Sequence, residues 1–410
     1  LATGGAGKVF AHNVFPAGST GDAFTLAYEA GAELVNIEFI QIGIASTKTK
    51  LNCSGSAMRA LPRIINDQGE EFLAKYFSDD LSINEIYDYV FQKGASWPVT
   101  YEHKTHVIDI AVYKEIAKGS KVYLDYSTNP NGFSFVNLSP QWQERYRSEM
   151  TLDLGQDARE ASPLNRLKEI NSATIEWLKE HGVDVESGDM VQIATCIQHF
   201  QGGVKIGEQA ETKVAGLFAV GECAGGQHGA NRPGGNALLD SQVFGKIAAN
   251  AALKRCENIE ATTIELAVLE QYCCQLQELK TIKNGTEAWN VRRELQDIMN
   301  KNASIVRTES GLSGGLKKVK ELQQLAIKAD KHGLAYALET KNMLLIAEMI
   351  LLAASCRNES RGPHLRFNQY ADNVPVGRKD PDWQKYIVLR KGSNGIELSE
   401  QVPQGLPERG

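Results

Sequence analysis

An α/β plus α+β fold, in which one α/β unit is interrupted by an α+β insertion and followed by a helical bundle, is what this 410-residue sequence predicts. Three observations predict it. Apolar strand-like runs that end on glycine turns and lead into helices occur in residues 1–41 and return in residues 199–256. Between them, residues 42–198 change to short strands, tight turns and amphipathic helices. After them, residues 257–361 read as helix almost throughout, broken by Gly, Asn and Ser as in a small antiparallel bundle. Residues 362–410, rich in Pro, Gly and Asp, form a C-terminal extension.

Taken in order, Leu1-Ala2-Thr3-Gly4-Gly5 reads as a strand ending on a glycine turn, so the chain is expected to begin inside a domain. Ser19 or Thr20 is the expected cap of a helix over 23–32, with Asp22 near its positive end. Residues 34–41 predict one strand, and residues 64–72 a strand–turn–strand built on an Asx/Gly turn. A helix over 164–181 carries Leu167, Ile170, Ile175 and Leu178 on its apolar side and stops at Gly182. Strands follow at 204–206 and 217–220, then a helix over 237–254 that opens straight off glycines. The bundle helices are expected at 263–282, 286–300, 311–329 and 337–355, and a single strand at 385–389.

Composition narrows the function classes. A net charge of -6 with no basic stripe argues against a nucleic-acid partner. The apolar stretch 343–355 is interrupted by Glu348 and falls short of the roughly 20 residues a bilayer needs, so no transmembrane segment is expected. Seven cysteines without CxxC spacing argue against disulfides, an iron–sulfur cluster or zinc, and a reducing, cytoplasmic setting is expected. The vicinal Cys273-Cys274 reads as structural. His103 and His106 have the spacing of a metal pair but no third ligand nearby, so a surface loop is expected and no metal. Lys317, Lys318 and Lys320 read as a solvated helix face, and Arg361, His364 and Arg366 as braces for the C-terminal segment.

Chemistry concentrates at 217–236. An apolar run meets Gly221-Glu222, then a loop of small residues, then Gly234-Gly235-Asn236 and a long helix. Glycines let backbone approach a flat ligand, and the helix start at Asn236, Ala237 and Leu238 suits a negative group. A reduced flavin carries negative charge at one ring edge, and Glu222 can accept hydrogen bonds from ribose or ribityl hydroxyls. A bare tight turn would explain two of the glycines but not Glu222, His228 and Arg232 beside them.

The run from Leu217 to Glu222, with His228-Gly229-Ala230-Asn231-Arg232-Pro233-Gly234-Gly235-Asn236, resembles the flavoprotein subunit of fumarate reductase and succinate dehydrogenase, a superfamily that includes L-aspartate oxidase. Three collinear stretches agree: Ala2-Thr3-Gly4-Gly5 with Ser19-Thr20-Gly21-Asp22; Arg307-Thr308-Glu309-Ser310-Gly311-Leu312; and Glu359-Ser360-Arg361-Gly362-Pro363-His364-Leu365-Arg366. The resemblance implies FAD as cofactor and a partial Rossmann-like FAD-binding domain interrupted by a capping domain. It also implies a GxGxxG unit for the adenosine half of FAD, which this chain does not contain. A fragment, or one half of a split protein with a separate N-terminal FAD-binding portion, is therefore expected. The FAD contacts expected here are Thr3, Gly4, Gly5, Asp22, Gly221, Glu222, Asn236, Ala237 and Leu238.

Against the family's catalytic pattern, a substrate-binding His is replaced by Gly43, and Asn84 stands near the position of the proton-shuttling Arg. Arg59 survives from a motif whose two carboxylates are gone, and Gln198-His199 covers another family His. The resemblance then implies hydride transfer between flavin and a small anionic, carboxylate-bearing substrate. Arg232 would orient the carboxylate, with His199 or Arg59 as candidate proton donors. Electrons would pass to or from a separate carrier, an iron–sulfur protein or similar. The losses argue against fumarate itself. Two alternatives stand beside this reading: a fumarate or succinate enzyme with relocated catalytic groups, and a non-catalytic scaffold subunit of an electron-transfer complex.

Overall fold

Two larger sheets organise the chain, which passes from one to the other at an irregular turn over 36–39 and returns at residues 201–202. The computed structural model describes residues 1–96, 98–150, 162–259, 265–403 and 405. The first helix, α1 (Asp22–Glu29), is capped by Gly21 at φ 81° with no side-chain cap. The expected Ser19 or Thr20 cap does not form, because the Thr20 hydroxyl donates to the Asp22 carboxylate at 2.7 Å instead. The strand expected over 34–41 is two strands, β1 (Leu34–Val35) and β2 (Ile40–Ser46), in different sheets. Asn36 separates them at φ 57°, a conformation Asn tolerates better than most residues.

The inserted unit follows β2. It comprises α2 (Ser56–Arg59), β3 (Arg63–Asn66), α3 (Ile83–Ala95), α4 (His106–Ala117), β4 (Val122–Asp125), α5 (Pro140–Met150), α6 (Pro163–Glu180) and β5 (Val191–Phe200). Its antiparallel sheet runs β2-β5-β4-β3. The second strand expected after residue 66 is absent. Asn66 Oδ1 accepts from the amides of Gln68 and Glu70, closing a turn from which a 3-10 segment, Leu73–Tyr76, departs. β3 pairs with β4 instead. Ser82 and Glu85 form a reciprocal capping box at α3. Ser162 caps α6, which buries Leu167, Ile175 and Leu178 and kinks at Asn171.

The other sheet has five strands with β1 at its centre. β6 (Gly203–Lys205) lies parallel to β7 (Ala224–Gly225). The strand expected at 217–220 does not join it; Phe218 only bridges Glu211. The place beside β6 belongs to Gly225, where a Cβ would stand 2.4 Å from the Gly203 nitrogen, closer than any side chain permits. Then come α7 (Asn236–Cys256) and α8 (Leu266–Thr281). Thr263 and Ile264, expected to open α8, lie outside the described residues. Cys273 and Cys274 are exposed on α8, so their structural reading has no burial behind it.

β8 (Thr286–Glu287), α9 (Ala288–Ala303), β9 (Arg307–Thr308), α10 (Glu309–Gln323), β10 (Ile327–Lys328) and α11 (Leu334–Cys356) complete the bundle. The helix expected to run to residue 329 ends at Gln323, because Ile327 and Lys328 pair with β8. Lys317, Lys318 and Lys320 are exposed on α10 as expected, with Val319 buried between them. α11 is mostly apolar and is the pillar of the main core, burying Met343, Leu344, Ile346, Met349, Ile350 and Leu351. No helix among the described residues is long and apolar enough to cross a membrane.

The C-terminal extension contains β11 (Arg366–Phe367), which pairs with β9, and two further strands rather than one: β12 (Tyr386–Gly392) and β13 (Gly395–Gln401). β12 pairs with β1, so the chain's end completes the sheet its beginning started. A buried ionic cluster ties these parts together. Arg357, fully buried, donates to Glu38 at 2.9 Å and Glu359 at 3.1 Å. Arg307 donates to His364 Nδ1 at 2.7 Å and to the Glu38 carbonyl at 2.7 Å. His364 therefore carries its proton on Nε2, facing the Arg357 carbonyl at 3.1 Å.

Candidate active site

The loop after β7 turns back over the sheet and delivers α7 through Gly235, at φ 81° and without a side-chain cap. The 21-residue helix thus presents the uncapped amides of Ala237 and Leu238 at its positive end. Beneath it, Gly221–Cys223 forms a 3-10 turn against the first turns of α7. Glu222 Oε1 accepts from the Phe200 amide at 2.8 Å. Gly5 fits against that carboxylate only because it lacks a side chain: a Cβ there would lie 2.4 Å from the same oxygen. Burial pushes the Glu222 carboxyl up to about 7, against the opposing pull of the Phe200 amide and Arg232. Thr3 and Gly4 sit at the rim, Thr3 exposed. The structure packs Gly5 on Glu222, with Thr3 and Gly4 preceding it in the chain, and sets Gly221 close to Ser241, one turn beyond Asn236, Ala237 and Leu238 on α7. Asp22 follows Gly21, which packs against Ala6 next to Gly5, and both its oxygens are bonded within the chain: one accepts from the Thr20 hydroxyl and the other from Asn342 Nδ2 at 2.6 Å.

Beside this cradle is a cleft of about 330 Å³ between the inserted unit and the loop, lined by Gln41, Thr100, His103, Arg145, Asn231 and Arg232 among others. Arg232 Nη2 donates to Gln41 Oε1 at 2.8 Å and Nη1 to the Pro233 carbonyl at 2.9 Å. Gln41 in turn donates to the Arg232 carbonyl at 3.0 Å. The β2–β5 register shifts between Gln41 and Ile42, and a bulge of this kind re-aims the side chain it carries. Asn231 donates to the Thr100 hydroxyl at 3.4 Å, joining loop and insertion across the cleft. Arg145 on α5 lies over the Trp142 ring at 5.3 Å.

Neither His199 nor Arg59 lines this cleft, although the His199 ring meets that of His228 in the loop at 5.7 Å. His199 is buried, with Nδ1 2.9 Å from Gln201 Oε1, and is not among the cleft-lining residues. Burial and the nearby Arg232 pull its pKa down to about 3, so it carries no spare proton near neutral pH. Arg59 on α2 packs over the Phe91 ring at 5.8 Å, behind the wall formed by α3. Asn84 accepts from the Ser134 amide at 3.0 Å at the far end of α3. His106 is not on a surface loop; it is buried, with Nδ1 3.1 Å from the Thr100 carbonyl. No group of metal-ligating residues occurs among the described residues. Gln41 and Arg145 were missed by sequence reasoning. A glutamine inside an otherwise apolar, wholly buried strand was a signal for the first; nothing in the polar α5 marks the second.

Several buried polar atoms around the loop have no hydrogen-bond partner: Gln201 Nε2, Gln227 Oε1, His228 Nε2, Arg232 Nε and Asp240 Oδ1, although His228 Nε2 stands 3.8 Å from the other Asp240 oxygen. Each unpartnered buried polar atom costs about 1–3 kcal/mol, so such a cluster marks where a polar ligand belongs. With the uncapped start of α7, the glycine at position 5 and Glu222, these groups fit the ring and ribityl portion of a flavin.

Comparison with known proteins agrees. Residues 1–238 match the FAD binding domain family, and residues 292–403 the fumarate reductase flavoprotein C-terminal family. An uncharacterised FAD-dependent oxidoreductase of Methanocaldococcus jannaschii is 30% identical over 95% of this chain and 62% of its own length. One of the subunits of the fumarate reductase (CoM/CoB) of Methanothermobacter marburgensis is 28% identical over 95% of this chain and 63% of its own length. Mycobacterium smegmatis Sdh1 superposes with a TM-score of 0.72 at 25% identity, covering 100% of this chain and 62% of that one. The chain thus spans under two thirds of the length of these relatives. It belongs to the superfamily of fumarate reductase and succinate dehydrogenase flavoproteins, with FAD as its cofactor.

Proposed function

We propose that the protein is an FAD-dependent oxidoreductase for a small carboxylate-bearing substrate, exchanging its electrons with a separate carrier protein. When bound, FAD supplies a two-electron centre that gives or accepts a hydride equivalent. The chain's own residues do the rest. Amides at the start of α7 stabilise negative charge on a ligand edge. Arg232 orients a substrate carboxylate, held for that task by Gln41, and Arg145 adds a second cation from the opposite wall.

The observation that carries this reading is Arg232, a guanidinium fixed in a cleft with its Nε unpartnered and only neutral groups bonded to it. Such a group favours an anion. The names of relatives as subunits support a separate carrier. Titrating the FAD-loaded protein with malonate, followed by flavin absorbance, tests the cleft. A lost charged hydrogen bond is worth about 1.5–3 kcal/mol, so Arg232→Gln should weaken malonate roughly 10- to 100-fold. Unchanged affinity would sink the assignment.

A fumarate or succinate enzyme with relocated groups is the second reading, favoured by the two arginines in one cleft and by relatives named fumarate reductases. Vigorous turnover of fumarate with a reduced dye would establish it over the first.

A further inference from the structure

A substrate held by Arg232 still needs a source of protons, and neither His199 nor Arg59 lines its cleft. Among the described residues that do, Arg145 and Arg232 keep their charge near neutral pH, and the rest but one carry no titratable side chain. The exception is His103, and an imidazole is the side chain that most readily binds and releases a proton in that range.

The turn that carries His103, between α3 and α4, is fixed from several sides. The His103 amide donates to the Thr100 carbonyl at 3.3 Å, and its carbonyl accepts from the His106 amide at 3.2 Å. His106, buried at the start of α4, also faces the Thr100 carbonyl through Nδ1 at 3.1 Å. The two residues before His103 tie the turn to the C-terminal extension. The Tyr101 amide donates to the Gly362 carbonyl at 2.7 Å, and Glu102 pairs with Arg378 at 3.5 Å. At the foot of the turn, the Thr100 hydroxyl accepts from Asn231 of the loop before α7. His103 from the inserted unit and Arg232 from that loop thus border the same cleft of about 330 Å³. The His103 ring is exposed and makes no hydrogen bond among the described residues, whereas the His199 ring is bonded to Gln201. A fixed backbone beneath an uncommitted ring gives proton transfer a defined reach with both ring nitrogens open.

We propose that His103 is the acid–base residue of the cleft, giving a proton to the substrate on reduction and taking one from it on oxidation. The inference rests on the oxidoreductase reading above. In the reducing direction, one substrate atom takes a hydride from reduced flavin and the neighbouring atom takes a proton. The His103 imidazolium gives that proton and becomes neutral imidazole. Solvent at the exposed ring returns the proton once product has left. In the oxidising direction the neutral imidazole takes the proton as the hydride passes to oxidised flavin. Arg232 and Arg145 hold the carboxylate in both directions, so binding and proton transfer fall on different side chains.

Two measurements on the FAD-loaded full protein test this. The His103 imidazole resonance, assigned by its loss in His103→Ala, should shift as malonate fills the cleft, and shift less in Arg232→Gln at the same malonate concentration. Reoxidation of the photoreduced protein by fumarate, crotonate or pyruvate should slow roughly 100-fold or more in His103→Ala, with malonate affinity within about threefold of wild type. Added imidazole should speed that variant roughly tenfold or more, a rescue that a merely structural role would not show. A wild-type rate in His103→Ala, or a slow variant that imidazole does not revive, overturns the assignment. So does a His103 resonance that bound malonate leaves unmoved. If malonate moves the resonance but no carboxylate reoxidises the wild-type flavin, the oxidoreductase reading falls, and the acid–base role with it.

Discussion

Glu222 shows how much of this site turns on single side chains. Its folded carboxyl holds a proton up to about pH 7, whereas an unfolded glutamate releases it near 4.5. Below the lower value both states are protonated and the residue is neutral to stability. Between the two, the unfolded state loses its proton first, so stability falls as pH rises, then levels off above about 7. Allowing for partial exposure, the expected fall is roughly 1–3 kcal/mol. Urea unfolding of flavin-free wild type and Glu222→Gln at pH 4.5 and 7.5 checks it: the variant should lose that difference, and parallel pH profiles would refute the assignment. At this scale the sequence was legible where a motif carried the residue, as for Glu222 and Arg232. It was not for Gln41 and Arg145, because the cleft joins residues from β2, α5 and the loop before α7, whose approach no local pattern encodes. For His199 and Arg59 no local pattern foretold their neighbours either: His199 bonds Gln201, and Arg59 lies over Phe91.

Among elements, long amphipathic or mostly apolar helices were readable, and α6, α7 and α11 lie within a few residues of expectation. Short strands were not. β1 and β2 read as one run because both are apolar, and only the backbone of Asn36 reveals the break. β7 consists of Ala224 and Gly225, two residues with no strand signal, placed by close approach rather than propensity. Gly225→Ala should therefore push β7 off the backbone of β6, destabilise the protein by roughly 1–3 kcal/mol and weaken FAD binding together. Full stability in denaturant with normal FAD affinity would contradict this account of β7.

For the molecule as a whole, the order of an interrupted α/β unit, an α+β insertion and a helical region was legible from texture alone. The closing hairpin was not, since β13 alternates half-buried and exposed residues on a sheet edge and its partner β12 packs on β1, over 350 residues upstream in the sequence. The Arg357 cluster holds the same long-range closure. Arg357→Ala would leave Glu38 buried without its cation and Glu359 with Arg361 alone, and urea unfolding should show a loss of about 3–5 kcal/mol. A loss under about 1 kcal/mol would mean the cluster is not what joins these segments.

The central claim is that the turn before α7 holds a working flavin beside an anion cleft. Anaerobic photoreduction of the FAD-loaded full protein, followed by mixing with small carboxylates, tests it most directly. The account predicts a bound flavin that bleaches on illumination and recovers its absorbance with at least one carboxylate acceptor, and a recovery strongly slowed in Arg232→Gln. A protein that binds no FAD, or binds it but cannot be reduced, would contradict the account and leave the scaffold reading in its place.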